Sequence, residues 1–431
     1  MKQMKESILK QKGYRLHVVQ TNKFKTIHVV AKLKAPLSRD TITYRSLLPY
    51  VLQQGPKSYP TRKALSDQLD YLYGAVLSID GAKKGENHII SFRLELANEK
   101  FIRDESGIFK NAMALFHDMI FNPNIEDGAF IDAIVKREKD TLRQRMSAML
   151  DDKMSYANLR LVDEMCKDEL YHLHVHGYED DLDTISGENL YNYYQTALNE
   201  DLFDIYVLGD LEEETVKALF STTFERERVY KEDEHIKQTK QKYEISEPKE
   251  IVEKQNVQQA KLHIGFRTNC TFKDKEYAAM QLFNGIFGGF PSSKLFLNVR
   301  EKHSLAYYAS SRLESHKGLL LVFSGIAPKD YEQARDVIFE QLEAMKNGEI
   351  TEEEMKQTKE LIVSQLLETL DHPQGIIEIL YQQVIAQTTY SPEQLINDIQ
   401  HVTKQDLVNF ANQVITDTIY LLTAEGGDSH A

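Results

Sequence analysis

The chain has 431 residues, 42% of them hydrophobic and 27% charged, a globular composition that excludes wholesale disorder. At roughly 100 to 200 residues per domain, it should hold about two to four domains. Its 52 Lys and Arg face 66 Asp and Glu, a formal charge of -14, so diffuse attraction to nucleic acid or anionic lipid is not expected. The cysteines, Cys166 and Cys270, suit buried thiols in a reducing compartment better than a disulfide scaffold. The opening segment MKQMKESILKQKGYRLHVVQ carries scattered charges and lacks a signal-peptide core, and no apolar stretch approaches about 18 residues. A cytoplasmic protein without a membrane span is expected.

Taken in chain order, the elements form a repeat of about half the chain. Residues 27–33 (IHVVAKL) alternate with the period of a half-buried strand, as do residues 262–267 (LHIGFR). Each precedes a helical pattern ending at glycine, residues 41–55 and 275–289. A second helix follows at 64–74 and 293–304, and then a strand at 88–96 and 318–326 that is dense in β-branched and apolar residues. Long charged helices with one apolar stripe come next, at 135–152 and 355–372. Both halves close on a Ser- or Thr-initiated helix and a strand, at 183–210 and 400–426. The charged stretch at 226–255, broken by Pro248, reads as a solvated linker. The expected domains are therefore 1–225 and 256–431 of an α+β protein, joined by that linker.

The segment FNGIFGGFPSSKLFLNVREKHSLAYYASSRLESHKGLLLVFSGIAP, residues 283–328, resembles the second-domain signature of the M16, or pitrilysin- and insulinase-like, zinc peptidases. The repeat, the linker position and the element order extend the likeness over almost the whole chain. The resemblance implies two homologous domains per chain, each a largely antiparallel sheet covered by helices, with chains pairing into a clam-shaped dimer or heterodimer around a peptide. Peptide-cleaving members carry His-x-x-Glu-His on the first helix and a further Glu on the long helix. Two imidazoles and a carboxylate hold zinc with an open position for water, and the remaining Glu takes a proton from that water.

Matched on the glycine of QQG, the motif falls on Ser46, Leu47, Leu48, Pro49 and Tyr50. Ser46 and Tyr50 stand for the histidines and Pro49 for the base. The distal position falls on Gln144 or Arg145, again not a carboxylate. Neither His-x-x-Glu-His nor His-Glu-x-x-His occurs elsewhere, so no zinc or other cofactor is expected in this chain. Arg300 and Tyr307 match the family's substrate-holding arginine and tyrosine, and Gly285, Gly288 and Gly289 match a glycine-rich substrate loop. An arginine fork suits a carbonyl or carboxylate, and a phenol can donate to an oxyanion. The resemblance thus implies a non-catalytic subunit that lends substrate contacts to a homologous partner chain carrying the zinc.

Two other readings stay open. The chain could be a structural or peptide-binding homodimer with no role in proteolysis. His172, His174 and His176 in YHLHVHGYEDD would face one side of an extended segment and could bind a transition metal, although Leu173 and Val175 hold the places where a zincin needs glutamate. As loop histidines near solvent they need no metal. The tyrosines of YNYYQTAL, residues 191–198, have the spacing of a packing face.

Overall fold

The computed structural model of the protein describes residues 5–103, 107–227 and 242–425. The chain divides into two compact units, Met1–Met146 with Leu173–Gln238, and Ser147–His172 with Thr239–Ala431. No helix among the described residues is long and apolar enough to cross a membrane.

The first half supplies β1 (Lys5–Gln11), β2 (Tyr14–Gln20), β3 (Thr26–Pro36), α1 (Ile42–Leu52), α2 (Arg62–Tyr71), β4 (Val76–Lys84), β5 (Asn87–Ala97) and α3 (Ile108–Phe121). The short strands β6 (Ile125–Glu126) and β7 (Ala129–Phe130) follow, and then α4 (Asp132–Asp151), α5 (Lys153–Met165), α6 (Glu179–Thr184), α7 (Gly187–Glu200), β8 (Leu202–Gly209) and α8 (Glu213–Thr223). Six of the strands form a sheet in the order β1-β2-β8-β3-β5-β4. Every neighbouring pair in it is antiparallel except β2 and β8. On one face of β3, Ile27, Val29, Ala31 and Leu33 alternate into a core completed by Leu47 and Val51 of α1 and by Met113 and Phe116 of α3. Each of these side chains larger than alanine is worth roughly 1.5–3 kcal/mol when removed from water. Ser186 caps α7 reciprocally with Asn189, which starts the helix where the sequence placed it.

The second half comprises β9 (Lys249–Gln255), β10 (Ala260–Arg267), α9 (Tyr277–Asn284), β11 (Ala306–Glu314), β12 (Leu319–Ile326), α10 (Tyr331–Lys346), α11 (Glu352–Thr369), α12 (Pro373–Ala386), α13 (Pro392–His401), α14 (Lys404–Ala411) and β13 (Ile415–Ala424). Its sheet runs β11-β12-β10-β13-β9. Read from the other end, that order repeats β2-β8-β3-β5-β4, including one parallel pair, β13 with β9. Five strands of the α+β architecture are therefore duplicated, with β1 added at the edge of the first sheet. Thr351 and Thr403 cap α11 and α14 reciprocally with Glu354 and Asp406. Cys166 and Cys270 are free and buried.

The expected boundaries require two corrections. Lys249–Gln255, placed in the linker by its charges, is the edge strand β9, with Ile251 half-buried and Val252 exposed. Edge strands are commonly charged because charge discourages pairing with other chains. Of the rest of that linker, residues 228–241 lie outside the described residues, as does Gly426 at the end of the second closing segment. Residues 147–172, counted with the first half, belong to the second unit. The reason is the stripe Ala157, Leu161 and Met165 of α5, which packs on Leu321, Phe323, Tyr420 and Leu422 of the second sheet.

Candidate functional site

In the first unit, α1 carries the positions that matched the zinc motif. Ser46 is buried, and its hydroxyl lies 2.9 Å from the Ile42 carbonyl one turn back and 2.6 Å from the carbonyl of Val175. Pro49 sits within the helix and has no N–H to return to the Arg45 carbonyl. Tyr50 closes the row, and its Oη accepts from Nη1 of Arg145 at 2.7 Å. Arg145 is exposed on α4, with Gln144 exposed beside it. The tertiary structure thus brings positions 46, 50 and 145 to one locality, furnished with a hydroxyl, a phenol and a guanidinium.

Behind that row lies a buried network. The Arg45 guanidinium is 1% exposed. It donates to Asp201 Oδ2 at 2.7 Å, to Tyr193 Oη and His88 Nδ1 at 3.2 Å, and to the carbonyls of Leu33 and His88 at 3.1 and 3.2 Å. Burial works against its charge, and Asp201 and Tyr193 more than restore it. Burial, reinforced by the Arg45 charge, holds the pKa of His88 well below the usual imidazole value. His88 is therefore neutral, as its acceptance of a bond from Arg45 requires.

The histidine segment rides on α1. Gly177, at φ +73°, approaches so closely that a Cβ would stand 2.4 Å from Thr43 Oγ1, so only glycine fits. Thr43 Oγ1 in turn accepts from the Tyr178 N–H at 3.0 Å. The three histidines are each engaged separately. His172 Nδ1 lies 2.6 Å from the Glu169 carbonyl, and His174 stacks on Tyr178 with centroids 5.0 Å apart. His176 is half-buried, and its pKa is lowered by burial and then by Arg145 and His174. Among the described residues no group of three or more His, Cys, Asp or Glu side chains is placed to hold a metal ion, which removes the geometric basis for a relocated metal site.

In the second unit, Arg300 lies on a π-helical turn, Phe296–Lys302. Its guanidinium stacks 4.6 Å over the Phe296 ring, and Nε approaches Glu301 at 3.6 Å. Tyr307 stands where the register between β11 and β12 slips, between Ala306 and Tyr308. Such a bulge re-aims a side chain. Tyr307 is 71% exposed and makes no hydrogen bond among the described residues.

The glycines, expected to form a loop, instead form a π-helical turn, Gly285–Gly289. Gly285 and Gly288 are buried packing positions. A Cβ would meet Thr358 Cγ2 at 2.5 Å from Gly285, and Ser311 Oγ at 2.5 Å from Gly288. Only Gly289 reaches the surface. Both glycines are thus needed for the packing of the turn against the neighbouring helix and strand.

Residues 184–362 match the family described as "Peptidase M16 inactive domain". A Bacillus subtilis protein named "Probable inactive metalloprotease YmfF" is 46% identical over 97% of this chain and 98% of its own length. The chain belongs to the M16 peptidase family. Among solved structures, a conserved protein from Enterococcus faecalis is 32% identical with a TM-score of 0.90, covering 98% of this chain and 100% of its own. An M16 inactive domain from Pseudomonas fluorescens shares the fold at a TM-score of 0.79 and 16% identity, over 97% of this chain and 98% of its own.

The family's zinc does not fit this M16 chain. Zinc needs imidazole nitrogen, thiolate or carboxylate donors. Ser46 is committed to carbonyls, Pro49 has no side-chain donor atom, and Tyr50 is held by a permanent cation at the distal position. Those three facts together leave the family's zinc without its ligands at these positions, in keeping with the match to the family model described as inactive. Arg45, Asp201 and His88 escaped the sequence reading, since a buried ion pair 156 residues apart leaves no local pattern. The one hint was an arginine as the sole charged residue of a largely buried helix.

Proposed function

We propose that this chain is the non-catalytic subunit of an M16-type peptidase or peptide-processing complex, in which Arg300 and Tyr307 help a zinc-bearing homologous partner hold its peptide. The observation that carries the reading is Tyr307, a large aromatic turned out by a bulge on an edge strand. Its phenol has no bond to give up before donating to a substrate oxygen. Arg300 supports it: the face of its guanidinium rests on Phe296, while its side chain is 43% exposed. A planar fork held in this way can donate to a peptide carbonyl, or meet a carboxylate through two parallel bonds. Gly289 extends the same reading as the exposed glycine of its turn. YmfF, described as an inactive metalloprotease, is the kind of relative such a subunit would have.

The test is peptide cleavage by this chain, by a zinc-bearing M16 homologue from the same genome, and by the two mixed. The mixture should exceed the sum of the separate rates, and Arg300→Ala or Tyr307→Phe should abolish the excess without changing the melting temperature. No gain on mixing rejects the reading.

A further inference from the structure

The replacements in the first unit remove the donors for a cation and also install donors for an anion. Arg145 is fixed at one corner by Tyr50, whose Oη accepts at 2.7 Å. A guanidinium has five N–H donors, so four remain. Its neighbours on α4 are quenched: Arg143 lies within 2.9–3.3 Å of Asp140, Glu179 and Asp183, and Arg137 within 2.8 Å of Glu138. Arg145 has no acidic partner among the described residues, in a chain whose formal charge is -14. Because Tyr50 Oη accepts from Arg145, its own O–H is left to donate. No hydrogen bond from that O–H occurs among the described residues.

The surroundings agree with this polarity. His176 is within electrostatic reach of Arg145 and is disfavoured from protonation by burial and that charge. It therefore favours the neutral form. The backbone beside it is pinned by the Ser46 hydroxyl at the Val175 carbonyl and by Gly177 N–H to the His174 carbonyl at 2.9 Å. Lys83 donates to the Leu173 carbonyl at 3.1 Å. The acid of the backing network, Asp201, is buried on Arg45.

We propose that the former zinc site of the first unit is a carboxylate-binding site, taking a peptide carboxylate on the Arg145 fork with the Tyr50 hydroxyl and His176 beside it. This goes beyond the preceding reading, which places peptide contacts on the second unit, and can stand or fall without it.

The test uses the full chain and three fluorescein-labelled tetrapeptides read by anisotropy: tetra-alanine with a free C-terminal carboxylate, the same peptide amidated, and an amidated peptide with one internal Glu. Charge-assisted bonds of this kind discriminate by about tenfold or more. The free acid or the Glu peptide should therefore bind at least about tenfold more tightly than the neutral amide. Which of the two binds identifies the source of the carboxylate. Arg145→Gln should erase the preference, and Arg145→Lys should keep part of it, since the charge survives but the fork does not. Tyr50→Phe should weaken it. Arg300→Ala should leave it intact, which separates this site from the second-unit surface. Equal affinity for all three peptides, no binding at millimolar concentration, or an undiminished preference in Arg145→Gln would each overturn the proposal. Arg145 is exposed, so a folded variant is expected, and an unchanged melting temperature verifies it.

Discussion

Both units build the same five-strand order and each encloses an arginine on an aspartate, Arg45 on Asp201 and Arg267 on Asp417, yet their candidate peptide contacts differ. In the first unit, Arg45, Asp201 and His88 lie behind α1, wholly enclosed and bonded to one another. In the second, Arg300 and Tyr307 stand at the surface with few obligations to their own unit. The duplicated fold therefore keeps a buried ion pair in each unit without repeating the chemistry of its surface. The strands and the buried stripes are held in common by the need for a core, whereas a side chain outside the core is free to diverge. At positions 46, 50 and 145 the residues that stand in place of zinc ligands satisfy local bonds within the first unit.

The contrast can be broken by substitution. The largest effect should come from Asp201→Ala, which strands the enclosed Arg45 charge and should cost about 3–5 kcal/mol in urea unfolding monitored by circular dichroism. A loss under about 1 kcal/mol would show that the pair is not the clamp described.

Acid should strain both units through their neutral buried histidines. Burial pushes His263, in the second unit, down to about 3, and holds His88, in the first, well below 6.5. The unfolded chain takes up these protons below pH 6.5 and the folded chain does not. Stability is thus intact above pH 6.5 and falls as pH drops, by up to about 1.4 kcal/mol per pH unit for each histidine. Urea midpoints at pH 7 and pH 5 measure it, and His263→Phe should flatten the slope by one proton. An unchanged slope would contradict the burial of a neutral imidazole there.

Gly288→Ala tests whether the glycine turn packs or binds. With Ser311 Oγ, the Ser311 backbone nitrogen and Leu295 within 2.8 Å of a new Cβ, overpacking should cost about 1–3 kcal/mol. A stable Gly288→Ala protein with lost function would return this residue to the substrate. The smallest effects on stability belong to the exposed pair: Arg300→Ala and Tyr307→Phe should shift it by no more than about 0.5 kcal/mol. A larger loss would mean that these residues serve their own unit.

Much of the fold could be read from periodicity. The runs at 27–33 and 262–267 lie within β3 and β10, and the long charged helices and capped closing helices stand where their patterns placed them. β9 could not be read in this way, because an edge strand with one half-buried face carries charges that look like those of a connector. Nor could the allegiance of α5, since an apolar stripe records that a helix is covered and not by which sheet. Of the candidate site, the substituted motif positions were readable residue by residue. The bulge at Tyr307 was not, because register is a property of two strands together.

By itself the sequence determined that the chain is a duplicated α+β protein with none of the zinc ligands its family uses, since period and residue type are local properties. Tertiary structure alone decided that Arg145 meets Tyr50, that Arg45 is closed in with Asp201, that Gly285 and Gly288 are core and that Tyr307 faces outward. Those outcomes depend on which distant side chains share a volume from which water is excluded, and that is settled only when the sheets and helices pack.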